Sequence, residues 1–454
     1  MSNAEPRPAP KFDPAAPHMQ SPRLRPVRGF RAQAQGGQEA LGLADARQVS
    51  DRVVFTAPAA QLILQHMDGK KNLDQIVAAV GRGLQRGDVE VLVAQLDDAG
   101  LLFGPTFEAM LITMRQEFDS SKVLPPASTA AMADALVEQE LKVSGAQMSD
   151  EEKAALGARK LREAFDNWIA AALKDAANPS LDELPKAVVA PHIDYPRGWL
   201  NYASVWGRLR VADRPDRVVI LGTNHFGEST GVCGCDKGYE SPLGISEVDT
   251  RLVEALRQNL GAENAQKLFA NRYDHEREHS IELQIPWIQH CLGADENGEF
   301  CKVFGVLIHD PTVNNGESYD GKGLGLSTFI DALKKTLAQI GGRTLIVGSA
   351  DLSHVGPAFG DPNALAGDSP EAQGMRNKVF NHDREMIQMI IDKKPDDLIA
   401  AMSWQQNPTR WCSIGNLVAT LKIAEPANVE LFNFAASMDE AGTTLVSNVG
   451  MAMT

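Results

Sequence analysis

Polar side chains follow three apolar runs of this sequence within a few residues of the point where each run ends. AVVA (187–190) is followed by His192, VVILG by His225, and LIVGS by Asp351 and His354. Ligands of open α/β sheets collect outside the carboxyl ends of the strands, so these side chains are expected to share one crevice. Neutral imidazoles grouped with a carboxylate are normal ligands of zinc, iron or copper. The pattern therefore predicts a metal site.

Cys412 is a further candidate for this site. It lies just before the apolar segment IGNLVATLKIA and two residues after Arg410. A thiolate at the N-terminus of a helix is stabilised by the helix dipole, and a neighbouring cation adds to the effect. Cys412 is thus interpreted as a metal ligand or a nucleophile, and a small buried apolar residue is the alternative.

Three short motifs match catalytic or zinc-binding patterns but lack the context that these patterns need. His275–His279 reads HEREH, yet the string is almost wholly charged and Ser280 is a better start for the following helix, which disfavours a zinc protease. GESTG at 227–231 has no strand leading directly into it and no helix after it, so a nucleophile elbow is not expected. CGC at 233–235 has one spacer and no second pair of cysteines.

The elements that must position the candidate residues are short β-branched runs that alternate with helical patterns in the C-terminal half. Buried apolar strands separated by helices are typical of an α/β domain with a mostly buried sheet. We assign this domain to residues 185–454. Its predicted strands are Ala187–Ala190, Val218–Leu221, Val303–Ile308, Leu345–Val347 and Leu445–Met451.

The N-terminal part of the chain divides into three further segments. Residues 1–30 contain seven prolines and few large apolar groups, so a disordered tail is expected. Residues 31–105 combine a short strand at 53–55, three short helices and a strand at 101–103, which suggests a winged helix. Residues 106–184 are interpreted as a helical connector.

Two helix starts can be placed in these segments. Asp88 is expected to cap the third helix of the winged-helix segment, and Ser149 with Glu152 forms a capping box in the connector. That third helix carries Glu90, Asp97 and Asp98 but no lysine or arginine, so it does not suit DNA reading.

Composition excludes several classes of protein. The chain has 454 residues, with 59 acidic and 44 basic residues and a net charge of −15, which argues against nucleic-acid or anionic-membrane binding. Five cysteines are too few for a disulfide framework. No apolar run reaches the roughly 18 residues of a membrane span. A cytoplasmic protein is expected.

Two resemblances to known families follow from longer motifs. TAPAAQLILQHMDGKKNLDQIVAAV and VAQLDDAGLL resemble PqqD-like winged helices, a family of peptide-recognition modules. APHIDYPRG, VVILGTNHFG, HEREHSIELQIPWIQ, GSADLSHVG and WCSIGN resemble the Memo family, protein B of the AmmeMemoRadiSam system. The Memo fold is similar to class III extradiol dioxygenases, which hold non-heme Fe(II).

The Memo resemblance implies roles for individual residues. His192, His225 and Cys412 match the family's metal-binding positions, with Fe(II) as the expected metal and copper or zinc as alternatives. Asp351 and His354 match the polar pair beside the metal, and His354 takes the place of the dioxygenases' acid/base histidine. Glu278 and His279 lie in the family's EHS motif and are interpreted as residues that orient the metal-ligating imidazoles.

The sequence departs from the pattern of these families at two points. The dioxygenases complete their ligand set with a carboxylate, whereas this chain offers Cys412, so ring-opening activity does not follow from the resemblance. The Gly-aromatic-Tyr motif found near the start of Memo domains is not recognisable around residues 123–135.

Three functions remain open at this point. The first is a metalloprotein acting as an oxidoreductase, similar to the dioxygenases, on a small molecule or a modified peptide. The second is a non-catalytic protein that recognises a peptide or partner and works with radical-SAM and AMMECR-type proteins, as the Memo resemblance implies. The third is the disfavoured zinc protease.

Overall fold

The computed structural model describes residues 9–33, 37–145 and 147–454. The chain divides into two units, Met1–Ser121 and Lys122–Thr454. Among the described residues, no helix combines the length and apolar character that crossing a membrane requires.

The first unit pairs a small sheet with short helices. Its antiparallel strands lie in the order β1-β2-β3. Its core consists of apolar residues of the sheet and of the helices, with Leu73, Ile76, Val89 and Leu96 fully buried. The elements are β1 (Val27–Gln33), β2 (Glu39–Asp45), β3 (Val53–Thr56), α1 (Pro17–Gln20), α2 (Gln61–Leu64), α3 (Leu73–Val80), α4 (Arg86–Asp98) and α5 (Pro105–Ser120).

Local sequence explains how these helices begin. The Asn72 side chain accepts a hydrogen bond from the backbone N–H of Gln75, and the Gln75 side chain accepts one from the backbone of Asn72, which together start α3. Asp88, the residue expected to cap α4, lies three positions after the residue that does so. Gln85 is the capping residue, and Asp88 lies in the first turn, where its carboxylate accepts the backbone N–H of Gln85.

Two other expectations for this unit differ from the structure. Residues 101–103 form no extended strand, and Leu102 makes only an isolated bridge with Leu24. Part of the expected tail, residues 9–30, contains α1 and the start of β1, whereas residues 1–8 lie outside the described part of the chain. Met19 is buried and Arg25 forms a buried ion pair with Asp45, so enough surface is buried to offset the entropy of ordering. The winged-helix interpretation stays a prediction.

The second unit is a mixed α/β domain around an eight-stranded sheet, as predicted. The sheet has the order β12-β14-β5-β11-β6-β10-β7, with β13 paired to β14. Strands β5, β11, β6 and β10 run parallel, and β14 is antiparallel to β5. The strands are β4 (Val123–Leu124), β5 (Ala187–Ala190), β6 (Arg217–Thr223), β7 (Cys233–Gly234), β8 (Gly238–Ser241), β9 (Gly244–Ser246), β10 (Lys302–Ile308), β11 (Thr344–Ser349), β12 (Asp351–Val355), β13 (Val429–Met438) and β14 (Leu445–Met453).

Helices cover the parallel part of the sheet. Val219 and Leu221 of β6 join an apolar cluster with α9, α12 and α15, and every residue of β6 is buried. A parallel sheet of this kind needs cover on both faces, which explains its continuous apolar strands. The helices are α6 (Ser128–Ser144), α7 (Asp150–Leu173), α8 (Tyr195–Trp206), α9 (Thr250–Phe269), α10 (His279–Glu282), α11 (Ile285–Leu292), α12 (Leu326–Ile340), α13 (Pro370–Ile391), α14 (Pro395–Gln405) and α15 (Ile414–Ala424).

The expected connector, residues 106–184, spans the division between the two units. Helix α5 belongs to the first unit, and α6 and α7 belong to the second. The predicted capping box at the start of α7 is confirmed, because Ser149 and Glu152 each accept a hydrogen bond from the other's backbone. Gly157 of α7 lets α6 approach closely, since a Cβ there would lie 3.2 Å from the Cβ of Ala133.

Candidate metal centre

Three predicted ligand residues meet at the carboxyl edge of the sheet. His192 follows β5, His225 follows β6, and Cys412 precedes α15; one ligand atom from each lies within 4.8 Å of the others. The Cys412 Sγ is 3.4 Å from the His192 Nε2. The two imidazole rings lie 5.1 Å apart between centroids. Residues separated by up to 220 positions therefore converge on one point.

The His192 ring is oriented by its surroundings. Its Nδ1 lies 3.1 Å from the carbonyl oxygen of Ser349, which only accepts hydrogen bonds, so Nδ1 carries the proton and Nε2 keeps its lone pair. The backbone N–H of His192 donates to the Asp351 carboxylate at 3.1 Å. Burial lowers the pKa of the His192 imidazole well below its usual value, and the nearby histidines add to this effect. His192 is thus a neutral imidazole with a free Nε2.

Glu278 fixes the orientation of the His225 ring through two hydrogen bonds. The Glu278 carboxylate accepts the His225 Nδ1–H at 2.9 Å and the backbone N–H of His225 at 2.8 Å. Burial of Glu278 would raise its pKa, but the charge of His225 and their hydrogen bond lower that pKa to about 2. Burial likewise opposes protonation of His225, yet the attraction of Glu278 raises the pKa of His225 well above its usual value. This arrangement leaves the His225 Nε2 for a metal.

Cys412 lies at the start of α15, as predicted, but its expected cationic neighbour is engaged elsewhere. The Arg410 side chain pairs with Asp361 and donates from Nε to the His354 carbonyl oxygen at 2.8 Å. Arg410 has a positive φ of 58°, which turns the chain between it and Cys412. The Arg410 guanidinium is therefore paired with Asp361, and its expected effect on a Cys412 thiolate stays a prediction. The Cys412 Sγ instead contacts the Ser413 hydroxyl at 3.1 Å.

Asp351 and His354 lie beside the three converging residues, on β12. Asp351 is buried, which raises its pKa to about 7, and one of its oxygens is 3.7 Å from the His192 Nε2. The His354 Nδ1 is 2.9 Å from the Leu352 carbonyl oxygen, so its Nε2 is the free nitrogen. Burial lowers the pKa of His354 to about 4, and the ring is therefore a neutral base near pH 7.

The two residues of the EHS motif occupy different positions. Glu278 is buried behind His225, whereas His279 lies on the wall of a cavity and stacks on the His225 ring at 4.7 Å between centroids. The His279 Nδ1 is 3.4 Å from Glu278, and burial lowers the pKa of His279 to about 4. Sequence reasoning treated this pair alike, but only the structure shows that His279 faces the cavity.

A cavity of about 320 Å³ opens over this group of residues. That volume is near the lower end of the range for small-molecule sites, roughly 300–1,000 Å³. Several residues that line the cavity were not predicted from the sequence. Residues 193–197 lie in the quoted motif APHIDYPRG and Leu283 lies in HEREHSIELQIPWIQ, so these could have been found there. The remaining four lie in none of the quoted motifs. The missed residues are Ser128, Met132, Ile193, Asp194, Tyr195, Pro196, Arg197, Leu283, Phe359 and Val446.

A buried hydrogen-bond network behind the histidines was also missed. The Asn416 amide donates to the Ser349 carbonyl oxygen at 2.6 Å and to the Thr223 hydroxyl at 2.9 Å. The Gln284 amide donates to the Ser349 hydroxyl at 2.9 Å and to the Pro191 carbonyl oxygen at 2.6 Å. These amides join the ends of β5, β6 and β11, so the strand ends that carry the site are held together.

The three rejected motifs have structural explanations. His275 lies in a 3₁₀ turn and uses both ring nitrogens, with Nδ1 2.9 Å from the Tyr239 hydroxyl and Nε2 3.1 Å from the Cys233 carbonyl oxygen, whereas His279 starts α10. The Ser229 hydroxyl donates to the Gly231 carbonyl oxygen within a loop. Cys235 is buried, which raises the pKa of its thiol to about 12.

The donor set fits a metal ion. Two imidazole nitrogens and one sulfur face a common point, the other ring nitrogen of each histidine is hydrogen-bonded, and a cavity lies alongside. Three protein ligands with an open position are typical of catalytic rather than purely structural metal sites. Nitrogen and thiolate donors suit iron, copper or zinc.

Comparison with known proteins gives matches over the second unit. The family model described as Memo-like protein matches residues 157–454, a range that includes all seven candidate site residues. A MEMO1 family protein of Pyrobaculum aerophilum is 28% identical over 288 residues, which cover 62% of this chain and 89% of the relative. One from Thermotoga maritima is 28% identical over 264 residues, which cover 58% of this chain and 79% of the relative.

Proposed function

Because this chain belongs to the Memo-like protein family, we propose that it is a metalloprotein whose metal is held by His192, His225 and Cys412. We propose Fe(II) as the metal and an oxidoreductase reaction, dioxygenase-like in its use of an open coordination position, on a small molecule or a modified peptide. The observation that carries the proposal is the convergence of two imidazole nitrogens and one sulfur beside a cavity.

The chemistry divides between the metal and the protein. Held by His192, His225 and Cys412, the metal would supply a Lewis acid and a redox centre beside the cavity. His354 is neutral near pH 7, because burial lowers its pKa to about 4, so its Nε2 accepts a proton from a ligand in the cavity. Asp351 accepts the His192 backbone N–H, which orients that ring. The raised pKa of Asp351, about 7, makes it a second group able to hold a proton.

Metal content after anaerobic purification tests the proposal. Wild-type protein is expected to contain near-stoichiometric iron by mass spectrometry, and Cys412→Ala and a His192→Ala, His225→Ala double variant are expected to lose it. Cys301→Ala is the matched control, because Cys301 is a buried free thiol that contacts Arg214 and is not among the converging ligands. Full metal binding by the double variant would contradict the assigned ligands. Copper or zinc in place of iron would correct the metal and keep the site.

A second candidate function is recognition of a peptide or a partner through the first unit. Phe30, Gly42 and Phe55 pair across the three strands, and the two rings meet edge to face at 6.3 Å between centroids. A Cβ on Gly42 would lie 2.4 Å from the Phe30 ring, so glycine is needed there. Phe55 is 59% exposed, and an exposed aromatic row suits a protein surface that binds a partner.

Partner capture separates this second function from the first. Radical-SAM and AMMECR-type proteins are the proposed partners, and a pull-down with each is the measurement. Capture that is lost in Phe55→Ser but retained in Cys412→Ala favours recognition by the first unit. Capture by neither wild type nor variants counts against it.

We also propose a cytoplasmic location. All five cysteines are free thiols in the structure, and a cysteine ligand to a metal is maintained best in a reducing compartment.

A further inference from the structure

The first turn of α6 forms part of the cavity wall. Ser128 and Met132, one turn apart on this helix, line the same cavity as His192, His225 and His354. Helix α6 spans Ser128–Ser144 and so lies before the region that the family model matches, residues 157–454. This part of the wall therefore lies outside the region that the family model matches.

A single buried carboxylate holds this turn in place. Glu282 accepts hydrogen bonds from the backbone N–H groups of Ala127, Ser128 and Thr129 at 2.8–3.1 Å, and from the Thr129 hydroxyl at 2.7 Å. These contacts satisfy donors that the start of a helix leaves unpaired. Glu282 is itself 7% exposed, so the contacts are shielded from water.

Glu282 is connected directly to the site. Helix α10 spans only His279–Glu282, so one helical turn presents His279 to the cavity at its start and Glu282 to α6 at its end. Helix α6 is held a second time by α7 at the close approach of Ala133 and Gly157. Met132, next to Ala133, consequently lies between the turn that Glu282 holds and the contact of Ala133 with Gly157.

The other residues of the cavity wall indicate the effect of a side chain at position 132. Apart from the imidazoles, Asp351 and the Asp194–Arg197 ion pair, most of the wall is apolar, and it includes Leu283, Phe359 and Val446. Each methylene group in an apolar pocket discriminates between ligands by roughly tenfold or more. A flexible methionine on a fixed helix turn therefore limits the apolar part of a ligand.

We propose that Met132 is a specificity-determining residue, which restricts the site to small ligands with a compact apolar body, and that Glu282 positions it. The inference deepens the proposed function and rests on the same cavity. A ligand of this class would direct its polar donor atom toward the histidines and its apolar part toward Met132.

Competition between two probes of different size tests the inference. Imidazole and 4-phenylimidazole share one donor nitrogen and differ by a phenyl group, and the ratio of their Kd values measures size selection. In Met132→Ala, 4-phenylimidazole is expected to gain about tenfold in affinity relative to imidazole. Met132→Leu, of similar volume, is the matched control and should keep the wild-type ratio. Glu282→Gln, which weakens the hydrogen bonds to the first turn of α6, should shift the ratio in the same direction as Met132→Ala.

The outcomes separate this inference from the proposed function. The titrations are made by calorimetry on the metal-loaded and the metal-free full-length protein, with metal content and circular dichroism measured for each variant. An unchanged ratio in folded Met132→Ala would overturn the role of Met132. A wild-type protein that takes up no metal would instead overturn the metal site, and the metal-free titrations would still decide the question of size selection.

Discussion

The interaction between Glu278 and His225 is the most consequential contact of a single residue pair in the site. A buried carboxylate that accepts both the ring N–H and the backbone N–H of a ligand histidine fixes the tautomer and the ring orientation together. Glu278 also accepts the backbone N–H of Ser280 at 2.9 Å, which ties the start of α10 to the same point. The orientation of His225 thus depends on a side chain that is not one of the three proposed ligands.

Replacing Glu278 by glutamine is expected to weaken metal binding by about 10- to 100-fold, because the amide neither holds the charge of His225 nor accepts both hydrogen bonds as strongly. The measurement is competition with a chelator of known affinity. Glu276→Gln, two residues away in the same HEREH string, is the control and should bind metal like the wild type. Equal affinities for Glu278→Gln and wild type would remove the orienting role.

His275 leads to a prediction about pH. Burial lowers its pKa to about 4 from an ordinary value of 6.5, so between these two values the unfolded chain binds more protons than the folded one. The His275 contribution therefore decreases the free energy of unfolding by up to about 1.4 kcal/mol for each pH unit as the pH falls from 6.5 to 4. His275→Asn should show a shallower decrease over this range in urea unfolding of metal-free protein. Parallel pH profiles for variant and wild type would contradict the prediction.

At the scale of elements, α13 connects the strand that carries His354 with the segment that carries Cys412. Asp383 of α13 is fully buried, and its carboxylate accepts hydrogen bonds from the Ser353 hydroxyl, the Ser447 hydroxyl and the Trp411 Nε1–H. Ser353 precedes His354 on β12, and Trp411 precedes Cys412. One helix therefore sets the spacing between His354, the proposed acid/base residue, and Cys412, a proposed metal ligand.

Removing the Asp383 carboxylate should destabilise the second unit. Asp383→Ala removes the shared acceptor of two buried hydroxyls and of the Trp411 Nε1–H, which keeps only its longer contact with the Ser353 hydroxyl at 3.1 Å. The loss is expected to cost about 3 kcal/mol in the free energy of unfolding. Asp383→Asn keeps an oxygen acceptor at the same position and should cost clearly less. Chemical unfolding followed by tryptophan fluorescence provides the comparison. If alanine and asparagine cost the same, the hydrogen bonds to Asp383 are not the source of its stabilisation.

At the scale of the whole molecule, the sheet is the frame that collects the site. Parallel strands β5, β6 and β11 end at the same edge, and the two proposed histidine ligands follow two of those strands while the third leads into Asp351. Strand ends are held in register by ladder hydrogen bonds, so the loops that leave them have fixed starting points. A metal held by residues from β5, β6 and α15 would link three elements that are distant in sequence.

Metal removal should therefore lower the stability of the protein. A ligand that binds only the folded state stabilises it by about 2.7 kcal/mol when the free concentration is 100 times the Kd. Thermal unfolding of metal-saturated protein should show a higher Tm than that of metal-free protein. In Cys412→Ala the difference should vanish, and in Cys301→Ala it should remain. An increase in Tm that persists in Cys412→Ala would place the metal elsewhere.

Much of the second unit could be predicted from local patterns. The five predicted strands coincide with β5, β6, β10, β11 and β14, because strands that are buried on both faces need continuous apolar runs. The histidines at strand ends were recognisable for the same reason, since the end of such a run marks the edge of the sheet. The Ser149–Glu152 capping box was predictable because its hydrogen bonds join residues three positions apart.

The contacts that were not predicted share a different physical origin. Arg410 is two residues from Cys412 in sequence, yet the backbone turn at its positive φ directs it to Asp361. Residues 9–30 of the expected tail are held by the ion pair of Arg25 with Asp45, and no local sequence pattern encodes that ion pair. Helix α6 was expected to connect domains, but Glu282, more than 150 positions away, brings it to the cavity.

The amino-acid sequence by itself determined the α/β class, five strands of the large sheet and the candidate site residues, because these follow from apolar periodicity and from residue type. Only the tertiary structure decided that His192, His225 and Cys412 share one point, that Glu278 and His279 occupy different positions, and that α6 completes the cavity. The reason is that these properties depend on contacts between distant segments, whose geometry is set by packing and buried hydrogen bonds rather than by neighbours along the chain.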